Sequence, residues 1–395
     1  MDDVEKIVII STRSGELLRE RVIPEFNLKL SEVERNQFEM AAVKAKNFPS
    51  GEEYVQLPEN VRRRRIHVIA GVYRPDLYHL RRKVLGLDDG SVGVKLVRDY
   101  LHSVETDYSA FLKILDAARR SGAQEISVYM TYFPDCRQDK KDEPRVPISA
   151  KLRFDQLESA GSPKLSRIGV IDIHAQQEQG FTNLPVDQIT AKNHLLLALK
   201  RKGVSFEDLI LVCADPNDYK STKKLSDRLG VGLAIIEKSR AGHGETDGEA
   251  YIAGMDVEGR TCAMVDDMVD TGGTIFRGLD VLRQRKVGRV YVCATHGLFS
   301  PKINTNGKVI FTEDLFRSAH EESGLEVIVT DTIARSEEYL KEHKAWLTSI
   351  SVAPLIADLI YCNETGTSHG EKLEGYKQLA RDDDGSALDR FMLSS

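Results

Sequence analysis

The chain has 395 residues, of which 41% are apolar and 29% charged, and a formal net charge of -6. That length leaves room for two or three domains, and the composition is ordinary for a globular protein. The mildly acidic balance gives no general pull on nucleic acid, so an anionic ligand would need a local site. Taken in chain order, β-branched runs predict strands at 6–11, 66–71, 125–130, 168–173, 209–213, 232–237, 261–265, 289–294 and 326–329, and longer amphipathic stretches between them predict helices at 111–121, 191–202, 221–229 and 274–285. Alternating strands and helices imply parallel sheets covered on both faces, which bind ligands at the carboxyl ends of their strands. The expected fold class is therefore α/β, with a mostly parallel central sheet in each half.

Two segments read as additions. Tyr73–Thr106 is charged and ambiguous in period, and Cys362–Ser395 is a polar tail with the acidic run Asp382–Asp384. Five cysteines (Cys136, Cys213, Cys262, Cys293, Cys362) form no CxxC pair, which argues against a zinc site or a disulfide scaffold and fits a reducing compartment. The opening MDDVEKIVII sets acids before a short apolar run, where a signal peptide carries bases. No apolar run nears the roughly 18 residues of a membrane span. The expectation is a soluble, cytoplasmic protein with no membrane or nucleic-acid partner.

The strongest motif is Val265-Asp266-Asp267-Met268-Val269-Asp270-Thr271-Gly272-Gly273-Thr274. An apolar strand is expected to end in two acids, and a Gly/Thr loop then opens a helix. Such a loop can aim backbone N–H groups and two hydroxyls at one phosphate, and the glycines let the backbone come close. Asp266 and Asp267 suit the hydroxyls of a ribose or a metal beside it. A phosphate cradle next to diol acceptors fits a sugar phosphate. A similar strand end, Ile171-Asp172-Ile173-His174, suggests two related α/β halves with a seam near Asp187–Ala191.

The Asp266–Thr274 string resembles the ribose 5-phosphate motif of type I phosphoribosyltransferases and of ribose-phosphate pyrophosphokinases. Four further segments resemble the pyrophosphokinases alone: Thr131–Leu152 their ATP-site loop, Ile171–Phe181 their histidine loop, Asn47–Arg62 their adenine-contacting loop and Ile350–Ile360 their final helix. The resemblance implies two doubly wound domains of the type I phosphoribosyltransferase kind: residues 1–187, with an insert at about 73–106 and completion by a helix at about 349–361, and residues 188–348, followed by the tail. It implies transfer of the β,γ-diphosphoryl group of ATP to the anomeric hydroxyl of ribose 5-phosphate, with Mg2+. Asp270, Thr271, Gly272, Gly273 and Thr274 would take the sugar phosphate and Asp266 and Asp267 its hydroxyls. Arg137, Gln138 and Asp139 would meet ATP, with Phe48 and Glu52 serving the nucleotide across a subunit boundary. His174 and Asp215 would touch the metal. Lys238 and Arg240, followed by the Gly-rich stretch Ala241–Gly248, would stabilise the transferred group. The same resemblance implies a homo-oligomer built on dimers, up to a hexamer.

Three departures stand out. Asn217 and Asp218 replace the glycines of the family's pyrophosphate loop, Ser50 changes the adenine loop, and the stretch 73–106 is extra. These departures admit a second acceptor, ADP-ribose, within NAD salvage. A catalytically silent regulatory subunit is a third reading, against which stand the retained Lys238, Arg240, His174, Asp215, Asp266 and Asp267.

Overall fold

The computed structural model describes residues 7–30, 38–40, 43–50, 52–57, 60–73, 93–215, 218–238, 250–306, 309–368 and 370, with the backbone alone at 38–40, 47, 93–103, 238 and 250. The chain divides into two compact units. One holds Met1–Thr190 together with Asp331–Arg335 and Ser351–Leu373; the other holds Ala191–Thr330 and Ser336–Ile350 among its parts.

The first unit is built on a six-stranded sheet of β1 (Ile7–Ser11), β2 (Phe38–Met40), β5 (Arg65–Ala70), β6 (Glu125–Met130), β7 (Leu165–Ile171) and β8 (Val186–Ile189). The spatial order is β2-β1-β5-β6-β7-β8, and every pairing is parallel. Strands β3 (Lys44–Asn47) and β4 (Glu53–Gln56) form a separate antiparallel hairpin. Its helices are α1 (Glu16–Asn27), α2 (Gly93–Arg120) and α3 (Ser149–Gly161), joined near the end of the chain by a helix at Ala353–Thr365. That last helix is apolar nearly all round, with Leu355, Ile356, Leu359 and Ile360 at 2% exposure or less, and it packs on α1. A helix buried on all sides needs such a composition.

The second unit carries a seven-stranded sheet ordered β11-β10-β9-β12-β13-β16-β17. These strands are β9 (Leu209–Cys213), β10 (Gly232–Lys238), β11 (Ala250–Gly254), β12 (Thr261–Val269), β13 (Arg289–Gly297), β16 (Glu326–Thr330) and β17 (Leu347–Ile350). Only edge strand β11 runs antiparallel to its neighbour. Helices α4 (Lys192–Arg201), α5 (Tyr219–Leu229), α6 (Gly273–Gln284), α7 (Thr312–Ser323) and α8 (Glu337–His343) accompany it; the helix at Ala353–Thr365 is α9. Two-residue strands β14 (Lys302–Ile303) and β15 (Val309–Ile310) make a small hairpin. Alternate residues of one strand feed two different cores. Ile210, Val212, Cys262, Met264, Val290 and Val292 join Phe316 and Trp346 on one face. Leu209, Leu211, Ala263, Val265, Tyr291 and Cys293 join the leucines of α4 on the other. Burial on both faces is why these strands read as unbroken apolar runs.

The α/β class and the two mostly parallel sheets are as the sequence implies. Three expectations need correction. Residues 93–106 of the supposed insert are the first half of α2, not loop; residues 74–92 lie outside the described residues. Cys362–Thr365, assigned to the tail, complete α9, with Cys362 at 2% exposure. Strand β12 does not end at the acids: it runs through Asp266 and Asp267 to Val269. Among the described residues no helix is long and apolar enough to cross a membrane.

Candidate active site

In the second sheet the chain leaves β9 toward β10 on one side, and leaves β12 toward β13 on the other. The crevice between the carboxyl ends of β9 and β12 is a topological switch point, where open parallel sheets bind ligands. Strand β12 stays paired with β9 only as far as Met264, whereas its pairing with β13 continues to Val269. Asp266 and Asp267 therefore stand on a strand whose β9 side has come free. They precede the loop Asp270–Gly272 and the first turn of α6.

Gly272 adopts φ 74°, the left-handed region, as the cap residue before α6. Its carbonyl accepts from the Phe276 amide at 2.9 Å. A Cβ here would come within 2.5 Å of the Phe276 ring, so glycine is required twice over. Gly273 has no such neighbour: the nearest atoms to a Cβ are the Arg277 guanidinium at 3.9 Å and the Thr271 hydroxyl at 4.0 Å. The first-turn amides of α6 lack intrahelical acceptors and sit at the positive end of the helix dipole. An anion of phosphate size fits that cradle.

The carboxylates beside it are electrically crowded. Burial, then the neighbouring Asp267, then Asp218 push the Asp266 carboxyl well above the usual carboxylate range, although the Asp267 amide donates to its Oδ1 at 2.7 Å. Such a carboxyl loses its proton readily only when a cation or a donating hydroxyl stabilises the carboxylate left behind. Asp215 follows β9 on the adjoining strand end. Its carbonyl accepts from the Cys213 thiol at 2.8 Å, and burial pushes that thiol up to about 11, so it remains a donor. Among the described residues no three His, Cys, Asp or Glu side chains gather into a metal cage. Magnesium takes one or two carboxylates and otherwise phosphate oxygens and water. Asp215 thus suits a magnesium that arrives on a nucleotide.

In the first unit the turn Asp135–Gln138 is closed by the Gln138 amide donating to the Asp135 carbonyl at 2.8 Å. Arg137 and Gln138 are exposed on it. Ser149, at the start of α3, donates to the Gln138 side chain. The Gln177 amide donates to Asp139 at 2.9 Å, which ties this turn to the segment that carries exposed His174. The structure therefore brings Arg137, Gln138, Asp139 and the histidine loop to one place. Phe48 and Glu52 stand on the β3–β4 hairpin, where the Phe48 amide donates to the Glu52 carbonyl at 2.7 Å and Lys113 of α2 donates to the Glu53 carbonyl at 3.0 Å. Phe48 is 47% exposed, and its ring meets that of Tyr54 edge-on. His174 belongs to the first unit and Asp215 to the second. The Lys238 side chain and all of Arg240 lie outside the described residues, as do Pro216 and Asn217. Sequence reasoning missed Ser149, Gln177 and Arg153. The last had a signal, a lone cation among the apolar positions Ala150, Phe154 and Leu157 of α3.

Two mostly parallel α/β sheets, one with a glycine-bearing helix start and a carboxylate pair at its switch point, define the type I phosphoribosyltransferase class of fold. Residues 7–161 match the family model for the N-terminal domain of ribose phosphate pyrophosphokinase, and residues 250–371 match that for a phosphoribosyl synthetase-associated domain. The ribose-phosphate pyrophosphokinase of Aquifex aeolicus is 33% identical over 321 residues, 81% of this chain and 87% of that protein. That of Fusobacterium nucleatum is 30% identical over 314 residues, 79% and 85% of the two chains. The crystal structure of phosphoribosylpyrophosphate synthetase from Mycobacterium smegmatis superposes with a TM-score of 0.69 at 28% identity, covering 92% of this chain and all of that one. The chain belongs to the ribose-phosphate pyrophosphokinase family.

Proposed function

We propose that this protein transfers the β,γ-diphosphoryl group of ATP to the anomeric hydroxyl of ribose 5-phosphate, giving 5-phosphoribosyl 1-pyrophosphate and AMP. The observation that carries the reading is the α6 cradle with Asp266 and Asp267 beside it at the switch point. The sugar phosphate sits on Asp270–Thr274, and Asp266 and Asp267 accept from the ribose hydroxyls. ATP lies on Arg137, Gln138 and Asp139, whose cation and amide meet triphosphate oxygens. The anomeric hydroxyl oxygen attacks the β-phosphorus and its proton passes to solvent, while the bond from the β-phosphorus to the α,β-bridging oxygen breaks and AMP leaves with that oxygen. Lys238 and Arg240 neutralise charge on the transferred group. Asp215 would offer magnesium a carboxylate in the second unit and His174 an imidazole in the first, and the ion would supply charge screening for the triphosphate. By the family resemblance, Phe48 and Glu52 serve the adenine of a neighbouring copy, and the working form is a homo-oligomer built on dimers.

A second reading, ADP-ribose as acceptor, draws on Asp218, whose charge is felt at Asp266 and which stands where a pyrophosphate loop would carry glycine. Mass identification of products, with ATP, magnesium and either ribose 5-phosphate or ADP-ribose, tests both. AMP release with ribose 5-phosphate alone is the expected result. Turnover confined to ADP-ribose transfers the protein to the second reading, and none with either leaves a non-catalytic subunit.

A further inference from the structure

Arg153 of α3 is only 8% exposed. A buried guanidinium is tolerated when it is paired and hydrogen-bonded, and Arg153 is paired on three sides. Its Nε donates to Asp135 Oδ2 at 2.6 Å, and an Nη donates to the Glu105 carboxylate. Its guanidinium carbon lies 4.4 Å from the centre of the Tyr108 ring, within cation–π range. The Tyr108 hydroxyl donates back to the Arg153 carbonyl at 2.6 Å. Burial works against the charge, but the two carboxylates outweigh it and hold the guanidinium above its ordinary value.

These partners connect two places in the fold. Asp135 opens the turn that displays Arg137 and Gln138, and it does so at φ 59°, a left-handed conformation. Asp tolerates that region better than most residues, and its carboxylate is held there by Arg153. The other end of the turn is held by the same helix: the Ala150 amide donates to the Gln138 carbonyl at 3.3 Å, and Ser149 donates to the Gln138 side chain. Glu105 and Tyr108 belong to α2, Glu105 in the stretch that the sequence reads as an insert. The neighbouring Asp107 accepts from Ser14 in the loop after β1.

We infer that Arg153 is a positioning residue for nucleotide binding: its guanidinium clamps Asp135 so that Arg137 and Gln138 face the triphosphate, and its second arm, to Glu105, makes the extended α2 part of that clamp. This rests on the reading of Arg137–Asp139 as the ATP site. The probes are ATP affinity by calorimetry and steady-state kinetics in Arg153→Met, Arg153→Lys and Asp135→Asn. Asp135→Asn retains a side chain that tolerates the left-handed backbone, so it keeps the test open if Arg153→Met fails to fold. Expected are a tenfold or greater loss of ATP affinity in Arg153→Met, a smaller loss in Arg153→Lys and at least a threefold loss in Asp135→Asn. KM for ribose 5-phosphate stays within twofold, and kcat at saturating ATP falls less than threefold. ATP affinity within twofold of the parent in folded Arg153→Met or in Asp135→Asn overturns the inference, as does an equal loss in both KM values. A parent chain that binds no ATP removes the ATP-site reading itself, and this inference with it.

Discussion

Replacing Gly272 by alanine is the sharpest test of the cradle. The backbone there is at φ 74°, and alanine pays about 1–2 kcal/mol for that conformation. The new methyl would lie 2.5 Å from the Phe276 ring. That ring cannot yield freely, because it contacts Phe316 at 4.8 Å, and Phe316 stacks on buried Trp346 at 5.5 Å. Forcing a methyl into such packing costs about 1–3 kcal/mol. The sum is about 2–5 kcal/mol, which lowers Tm by about 4–20 °C for a domain of this size. Gly273→Ala is the internal control. Its φ is not positive and its Cβ would meet nothing closer than 3.9 Å, so stability should hold or improve by up to about 1 kcal/mol. Yet the methyl stands where a phosphate must approach the α6 amides, and KM for the sugar phosphate should rise at least tenfold. Calorimetric melting and initial rates separate the two effects. A Gly272→Ala protein that melts with the parent, or a Gly273→Ala protein with parental KM, refutes the account of this loop.

Asp266→Asn should stabilise the metal-free protein in a pH-dependent way. A folded carboxyl held above its unfolded value binds its proton more tightly in the fold, so the parent loses stability as pH rises above about 4, whereas the variant does not. A tenfold difference in proton affinity is worth about 1.4 kcal/mol, and urea titrations should find the variant ahead by at least about that at pH 7.5 and level with the parent at pH 3.5; a gap independent of pH counts against the argument. Asp331 accepts from Arg21 at 2.8 Å and from the Ser351 hydroxyl and Val352 amide at 2.7 Å. Asp331→Ala strands all three donors and should cost about 3 kcal/mol in denaturant unfolding; less than 1 kcal/mol would mean that the start of α9 is held elsewhere. Lys238→Ala should abolish AMP release by a hundredfold or more at unchanged Tm, and retained turnover would remove Lys238 from the chemistry.

The local geometry of the proposed phosphate loop was written in the sequence. The Asp266–Thr274 string needs no tertiary context to be read, because a phosphate cradle depends on glycines, hydroxyls and a helix start that are consecutive in the chain. The central strands were equally plain: burial on both faces demands runs such as Leu209–Cys213, and these stand out in any window. Polar strands such as β3, β4 and β8 escaped notice because hairpins and edges face water and carry no apolar run. The extension of α2 escaped for another reason. Val94, Val97, Leu101 and Val104 continue the spacing of buried Tyr108, Phe111 and Leu115, but the charged residues among them blur the period. What only the tertiary structure decided is where distant residues meet. Asp218 helps to raise the Asp266 carboxyl's proton affinity because β9 and β12 are neighbours in the sheet though about fifty residues apart in the chain, and Arg153 reaches Asp135 and Glu105 because two helices pack beside one loop. A sequence fixes what each residue can do; the low dielectric and close approach that turn carboxylates into a strained pair, or a lone arginine into a clamp, exist only once the chain has packed.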